Sequence, residues 1–381
     1  MPSPPEVELV REIPQVPTLR ETSNPSDVFT QITPAYDIQK IAKPERVKEP
    51  GYYGLPILKR PAWKWEIAIY FFFEGISGGA YVLCTMASLI DAKKHRNAIQ
   101  IGRFLSFLTM LPCPPLLIVD LGRPERFHHM LRIWKKTSPM NHGAWALSGY
   151  GIVASFLTLL AWPAAKLPFG FGSPALRFMQ RYMPERAIGV LGMPFALTMV
   201  SYPGVLLSTT ANPVWSHSHF LGSLFACSSM NSGSAAMTLC NYFSEDHKLH
   251  KTLSRFEDVA TIAEAAALGL YLGGLKKASR PLFKGRQAKL FLFGALGLGI
   301  VAPAILRRSK SKAIHAGLAP LLTIIGSLSL KWSITYAGQE SAMDAELASK
   351  NSPQKSGKPF WGPSEIEPVP SPTIDLNRQP A

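Results

Sequence analysis

A glutamate lies inside the first long apolar stretch of the chain. This stretch runs from Trp65 to Asp91, and between Ile67 and Ile90 the only acidic or basic side chain is that of Glu74. About 20 apolar residues in a helix cross the hydrocarbon core of a membrane. A carboxylate there is costly unless it faces other helices, a cavity or a ligand. The sequence therefore predicts a membrane-spanning helix with a functional carboxylate.

Two further polar side chains precede Glu74 at helical spacing. Glu66, Tyr70 and Glu74 follow one another at intervals of four residues, which aligns them along one face of a helix. Hydrogen-bonding groups arranged in this way suit an organic ligand or proton transfer. A second interpretation stays open, in which Glu66 lies in water at the membrane surface and Tyr70 belongs to an interfacial aromatic belt.

A later apolar stretch contains a second pair of acids on one face. Glu257 and Glu264 are seven residues apart, and Glu264 lies well inside the stretch. We take Glu74 and Glu264 as the candidates for catalytic proton relay. A buried acid with a purely structural role is the alternative for Glu264.

The histidines and cysteines are placed unfavourably for a metal centre. Haem in a membrane subunit needs axial ligands, usually histidines, deep in facing helices, whereas the nine histidines of this chain lie in loops or near the ends of apolar stretches. The four cysteines are scattered singly through apolar stretches, without the paired spacing typical of zinc or redox sites. We expect no metal site, no haem and no iron–sulfur cluster in this chain.

The apolar residues are concentrated in the middle of the 381-residue chain. We predict an all-α integral membrane protein with eight transmembrane helices, a disordered or extended N-terminal arm over residues 1–51, a transmembrane domain over 52–335 and a disordered C-terminal tail over 336–381. The predicted spans are 67–90, 102–121, 143–163, 188–210, 218–242, 256–275, 288–306 and 313–334.

The net charge of +15 does not indicate a nucleic-acid partner. The basic residues form short clusters between apolar runs, as in the loops of a membrane protein in contact with lipid. Lys and Arg number 14 in loops on the side of the N-terminus and 15 on the other, so the positive-inside rule does not fix the orientation. The first residues lack the apolar core of a signal peptide, and we expect the helices themselves to direct this multi-pass protein to the inner (cytoplasmic) cell membrane.

Six motifs occur in order between about residues 52 and 335. The first is Tyr52-Tyr-Gly-Leu-Pro56, before the first span, and the others are GISGGAY (75–81), DLGRPERF (120–127), SPMNHGAW (138–145), YPGVLLSTTANPVW (202–215) and SSMNSGSAA (228–236). As an ordered set they resemble the motifs of the NrfD/PsrC family, the membrane subunits of polysulfide-reductase-type molybdoenzyme complexes.

This resemblance implies eight core helices in two four-helix bundles and a site for menaquinone or ubiquinone near one membrane face. It also implies an iron–sulfur (ferredoxin-like) subunit and a molybdopterin oxidoreductase subunit as partners. Two polar residues on the first helix hold the quinone in the family, and they fall here on Glu66 and Tyr70, where relatives commonly carry Asn and His. A further tyrosine of the site corresponds to Tyr202, and His142 in SPMNHGAW replaces the usual aromatic residue.

These observations together predict a quinone-interacting subunit rather than a complete enzyme. It would pass electrons between the quinone pool and an iron–sulfur partner, with proton translocation left open, and Glu66, Tyr70, His142 and Tyr202 would bind the quinone. Two alternatives remain. A proton-coupled secondary transporter also uses proline-broken helices and midplane acids, and in a passive membrane anchor Glu74 and Glu264 would be dispensable.

Overall fold

The computed structural model describes residues 58–162, 173–242, 247–344 and 347–348. Within these ranges the chain is helical and contains no strand, which confirms the all-α prediction. The predicted N-terminal arm over 1–51 and most of the predicted C-terminal tail lie outside the described residues. The helices are α1 Trp65–Asp91, α2 Arg96–Met110, α3 Cys113–Asp120, α4 His129–Arg132, α5 Pro139–Ala161, α6 Ser173–Tyr182, α7 Glu185–Ser208, α8 Pro213–Ser216, α9 Leu221–Tyr242, α10 His247–Leu275, α11 Arg280–Lys284, α12 Ala302–Leu306 and α13 Ala319–Met343, with π-helical turns over Leu290–Val301 and Ala313–Leu318 leading into the last two.

Six helical segments of the described chain are long and apolar enough to cross a membrane. Two predicted spans fall outside this set. One is α9, whose centre is rich in serine, and the other is the shorter apolar helix Leu290–Leu306. The described chain is therefore a multi-pass membrane protein. The six segments are Trp65–Asp91, Arg96–Asp120, Pro139–Ala161, Glu185–Ser208, Leu249–Lys284 and Ala313–Met343.

Helix α1 is the central helix of the described structure. Its most apolar window is 78% buried, against 33–44% for the other five segments. It contacts α2, α3, α7, α9 and α13, so a charged side chain on it meets protein rather than lipid. This position explains how Glu74 is tolerated within an otherwise apolar stretch.

Helices α1, α2, α5 and α7 form a closed ring in which each helix contacts the next and α7 returns to α1. The segment after α2 is broken at Leu111 and Pro112 before α3 begins. The prolines that follow remove backbone donors and crowd the preceding turn, so a continuous helix is disfavoured there. After the break, α3 packs against α1.

Two helices extend beyond their predicted ends. Helix α10 begins at His247 rather than at 256, because Lys251 and Arg255 are exposed on a helix whose other face buries Leu249 and Leu253. The last helix continues through Met343, so residues 336–343 are helical and do not belong to the predicted tail. The small residues Ala337, Gly338 and Ala342 allow this end to pack inside the protein, where Trp215 Nε1 donates to the Ile334 carbonyl at 2.8 Å.

Candidate ligand cavity and buried polar network

An apolar cavity of about 750 Å³ lies beside the ring of helices. It is bounded by α1, α3, α5 and α7, together with the segment around α4. Most of its wall is aliphatic or aromatic, and volumes of this size are usual for small-molecule sites. The lining includes Trp63, Ile67, Tyr70 and Phe71 from α1 and its lead-in, Met110, Pro114, Leu117 and Asp120 near the proline break, Met140, Gly143, Leu147, Ile152 and Leu159 from α5, and Tyr202 and Leu206 from α7.

The cavity opens toward the surface that lipid would cover. Ile152 and Leu159 of α5 line it, and their side chains are 72% and 43% exposed. A cavity whose wall includes exposed apolar residues of a membrane-spanning helix is accessible from the hydrocarbon layer. A hydrophobic ligand dissolved in the membrane therefore has a lateral route to this site.

Two of the four predicted quinone residues, Tyr70 and Tyr202, line the same cavity. Both side chains are buried. The face that α1 turns to the cavity contains Ile67, Tyr70 and Phe71, which is a different face from the predicted stripe of Glu66, Tyr70 and Glu74. Tyr70 belongs to both faces, so its ring lies between the cavity and the more deeply buried polar residues.

The other two predicted residues, Glu66 and His142, do not line the cavity. Glu66 is buried near Asp120, and its Oε2 has no hydrogen-bond partner among the described residues. His142 stacks on Trp134 with ring centroids 4.9 Å apart, and its Nε2 lies 2.9 Å from the Lys136 carbonyl oxygen. The structure therefore brings the two tyrosines together and leaves these two side chains beside the cavity.

Glu74 is buried directly behind the cavity wall. Its side chain is 2% exposed, and neither carboxyl oxygen has a hydrogen-bond partner of acceptable geometry in the described part of the chain. The hydroxyls of Tyr70 and Tyr202 are close enough to interact electrostatically with this carboxyl. A carboxyl buried at this depth carries a large desolvation cost, and its tyrosine neighbours connect it to a ligand in the cavity with which it could exchange a proton.

Glu264, the other proton-relay candidate, belongs to a hydrogen-bonded network on the far side of α9. Asn231 Nδ2 donates to Glu264 Oε2 at 2.7 Å, and Thr261 Oγ1 donates to Asn231 Oδ1 at 3.3 Å. Arg307 Nη2 in turn donates to Thr261 Oγ1 at 2.7 Å. These side chains connect the interior of α10 to the end of α12.

The network ends at a second group of charges around Arg307. The guanidinium lies 3.6 Å from Glu257 Oε2 and 2.9 Å from Asp258 Oδ1, and the other oxygen of Glu257 accepts from Thr238. The side chains of Arg307 and Glu257 are buried, whereas that of Asp258 is 59% exposed. The buried network thus reaches the protein surface at Asp258.

A buried lysine, which the sequence analysis did not identify as a site residue, lies between Glu74 and Glu264. Lys331 Nζ donates to Ser327 Oγ at 2.9 Å, and Ser327 Oγ lies 3.1 Å from Ser228 Oγ of α9. Both carboxylates act electrostatically on the ammonium. The sequence has no other basic residue between Ala319 and Met343, so a final span extended to Met343 would have identified this lysine by the argument used for Glu74.

A family model described as Polysulphide reductase, NrfD matches residues 58–342. The chain belongs to the NrfD family. The matched range begins before α1 and ends one residue before the end of α13. It therefore contains the cavity and the buried network. The resemblance seen in the sequence motifs is confirmed, and the family supports the multi-pass membrane character of the described helices.

Individual members of the NrfD family are distant in sequence but similar in extent. A polysulfide reductase chain from Wolinella succinogenes is 27% identical over 300 residues, which cover 73% of this chain and 94% of the relative. Protein NrfD from Escherichia coli is 26% identical, with 73% and 95% covered. A selenate reductase subunit from Mesobacillus selenatarsenatis is 22% identical, with 71% and 72% covered. The names of the first and third describe components of reductases.

Proposed function

We propose that this chain is the quinone-interacting membrane subunit of a molybdoenzyme-type oxidoreductase complex. It would exchange two electrons and two protons between the membrane quinone pool and an iron–sulfur partner. The observation that carries the proposal is the apolar cavity with the tyrosines Tyr70 and Tyr202 in its wall and the buried carboxyl of Glu74 behind them. The reductase names of two NrfD-family relatives support the same class of complex.

The cavity fits the chemistry of menaquinone or ubiquinone. An apolar wall suits the ring and the isoprenoid chain, and the exposed lining residue Ile152 marks an entrance from lipid. The hydroxyls of Tyr70 and Tyr202 can donate to a quinone carbonyl oxygen or accept from a quinol hydroxyl. The quinone supplies the redox chemistry, and this chain orients it, excludes water and holds a proton at Glu74.

Glu66 and His142 belong to the periphery of this proposed site. Glu66 has an unpartnered buried oxygen on the helix turn before Tyr70, and His142 precedes the lining residue Gly143. Both are suited to passing protons between the quinone and water rather than to holding the ring. Glu74 and Glu264 are the deeper proton carriers in this proposal.

The proposed architecture has eight transmembrane helices in two four-helix bundles. The ring of α1, α2, α5 and α7 forms the first bundle. The second adds α9 and Leu290–Leu306 to α10 and α13. Helix α9 is polar at its centre, but Ser228, Asn231 and Ser232 are fully buried against other helices, so its low hydropathy does not prevent it from crossing the membrane.

The segment beside the cavity offers a surface for the proposed partners. Residues 121–138 follow α3 and contain five exposed basic side chains, and the lining residues Phe127 and Leu131 are exposed in the same segment. An iron–sulfur subunit bound there would lie near the quinone, with the molybdopterin subunit beyond it. All redox centres other than quinone would belong to these partners, and the complex would lie in the inner cell membrane. The basic residues are Arg123, Arg126, Arg132, Lys135 and Lys136.

Photoaffinity labelling tests the quinone site. The full chain in lipid nanodiscs is irradiated with an azidoquinone, and the modified peptides are identified by mass spectrometry. We expect label on peptides of α1, α5 and α7, with competition by unmodified menaquinone or ubiquinone. The control variant Tyr182→Phe changes an exposed tyrosine of α6 and should label like the unmodified chain.

The alternatives predict other results in this experiment or in a separate assay of proton transport. A passive anchor would give no competable label, and a proton-coupled transporter would move protons in liposomes without quinone. Label confined to surface helices outside the cavity would contradict the proposed site.

A further inference from the structure

Lys331 is a buried cation at the junction between α13, α1 and α9. Its side chain has no exposed surface, and in the described structure its one hydrogen bond is to Ser327 Oγ. Among the described residues it forms a direct ion pair with neither Glu74 of α1 nor Glu264 of α10, although both act on its charge. A buried ammonium without a direct counterion is costly, so its place between two carboxyl groups calls for a functional explanation.

The backbone of α1 leaves room for this ammonium. A Cβ atom added at Gly75 would lie 2.6 Å from Lys331 Nζ and 2.6 Å from Ser229 Oγ. Any side chain at position 75 would therefore displace either the lysine head group or the α9 serine. Gly75 directly follows Glu74. The space that holds the Lys331 ammonium is therefore next to the Glu74 carboxylate on the same helix.

We propose that Lys331 is a positioning residue that couples the protonation of Glu74 to that of Glu264. Proton uptake by one carboxylate favours proton loss from the other, because the single ammonium then shifts toward the carboxylate that is still ionised and stabilises it further. The proposal deepens the proposed function, on which it rests for the source of the proton at Glu74. In a low-dielectric interior, charges separated by several ångströms still interact strongly.

The coupled step balances in protons and electrons. Quinol oxidation in the cavity gives two electrons to the iron–sulfur partner and releases two protons. One proton forms an O–H bond on the Glu74 carboxylate, and the other passes to water by way of Glu66 at the edge of the cavity. Neutral Glu74 no longer attracts Lys331, whose charge then favours ionised Glu264. The O–H bond of Glu264 breaks, and its proton leaves toward Glu257 and exposed Asp258. One proton enters the network and one leaves it, and quinone reduction reverses each step.

Other groups around the two carboxylates also affect the protonation of each one. Those facing Glu74 are Tyr70, Tyr202, Cys113 and Lys331, and those facing Glu264 are Lys331, Arg307, Cys227, Ser228 and Asn231. Within the described part of the chain, Lys331 is the one charged group that faces both. Its removal should therefore abolish the coupling and leave the other interactions of each carboxylate in place.

Infrared spectroscopy of the full chain in nanodiscs, without quinone, tests this proposal. The C=O band of protonated Glu74 is assigned as the band lost in Glu74→Gln, and its appearance is followed against pH. We expect Glu264→Gln to move the midpoint of Glu74 protonation to a lower pH, by about a tenfold change in proton concentration. The reason is that Lys331 then acts on Glu74 alone. When Lys331→Met is already present, Glu264→Gln should change the proton concentration at the Glu74 midpoint less than about twofold.

Conservative and control variants separate coupling from folding. Lys331→Arg should keep the coupling, and Ser327→Ala should weaken it because the ammonium loses its one hydrogen-bond partner. Ser333→Ala removes a buried hydroxyl of the same helix, which donates to the Ser329 carbonyl oxygen one turn earlier. This variant should leave the coupling unchanged. Circular dichroism and gel filtration check that each variant is folded; if Lys331→Met does not fold, Ser327→Ala decides the question.

Three results would overturn the proposal. The first is a Glu74 midpoint that Glu264→Gln leaves unchanged. The second is a shift of that midpoint by Glu264→Gln that is equally large with and without Lys331→Met. The third is full coupling in Ser327→Ala. Because no quinone is present, each result is independent of photolabelling. Coupling without competable label would refute only the proposed function, and label without coupling would refute only the role of Lys331.

Discussion

Gly79 of α1 and Gly233 of α9 lie in direct backbone contact. A Cβ atom added at Gly233 would lie 2.7 Å from the Ala80 nitrogen, and one added at Gly79 would overlap the Ser229 carbonyl oxygen. Backbone atoms cannot rotate away as a flexible side chain can, so both positions require glycine. This close contact holds α1, with its cavity face, against the helix whose serines and asparagine belong to the buried network.

The contact predicts that Gly233→Ala is destabilising although alanine is the better helix former. The added methyl group forces α1 and α9 apart, at a cost of about 1–3 kcal/mol. Thermal unfolding in one detergent measures the change. The matched control is Gly269→Ala in α10, where a Cβ would meet nothing within 4 Å, and a lower unfolding temperature for this variant too would contradict the packing argument.

The sequence predicted α1 well because its signal is local. A long apolar run interrupted by one acid requires a membrane helix and a buried carboxylate, and both are observed at Glu74. The face of α1 that meets the cavity was not predictable, since it depends on where α3, α5 and α7 pack. Tyr70 was identified by spacing to Glu66 and Glu74, whereas its actual neighbours on the cavity wall are Ile67 and Phe71.

Lys331 was missed because the end of the last helix was misplaced. With the final span ending at 334, Lys331 and Trp332 have the appearance of an interfacial pair. The helix continues to Met343, which places Lys331 about three turns before its end and fully buried. Polar residues such as Gln339 and Ser341 hid this continuation, because they bond within the protein instead of marking its surface.

Substituting Tyr70→Phe should weaken quinone binding while the helices stay packed. The variant removes one hydroxyl from the cavity wall, and one hydrogen bond contributes about 1 kcal/mol, or roughly fivefold in affinity. Competition of menaquinone or ubiquinone against the azidoquinone label measures the change. Tyr150→Phe is the matched control, because its hydroxyl is buried in the same ring of helices but bonds to Ser77 at 2.8 Å. Equal losses in both variants would indicate a general packing defect.

Loss of the ion pair between Arg103 and Glu185 should destabilise the ring of helices. Arg103 Nη1 of α2 lies 2.7 Å from Glu185 Oε2 of α7, and the side chains are 7% and 34% exposed. Glu185→Gln leaves a largely buried guanidinium without its counterion. Because Glu185 is partly in contact with solvent, we expect a loss of about 1–2 kcal/mol rather than the full cost of a buried pair. Thermal unfolding against Glu125→Gln, which changes an exposed acid, measures it, and equal stabilities would show that the pair contributes little.

The position of Tyr202 in the cavity depends on Gly143 of α5. A Cβ atom at Gly143 would overlap the tyrosine ring and lie 2.6 Å from its hydroxyl oxygen. Gly143→Ala should therefore displace the ring and reduce competable azidoquinone labelling by about as much as Tyr202→Phe, even though position 143 has no polar side chain. Gly273→Ala, at a site where a Cβ meets nothing within 4 Å, is the control. If Gly143→Ala labels normally while Tyr202→Phe does not, the ring tolerates displacement; if neither variant loses label, Tyr202 is not part of the quinone site.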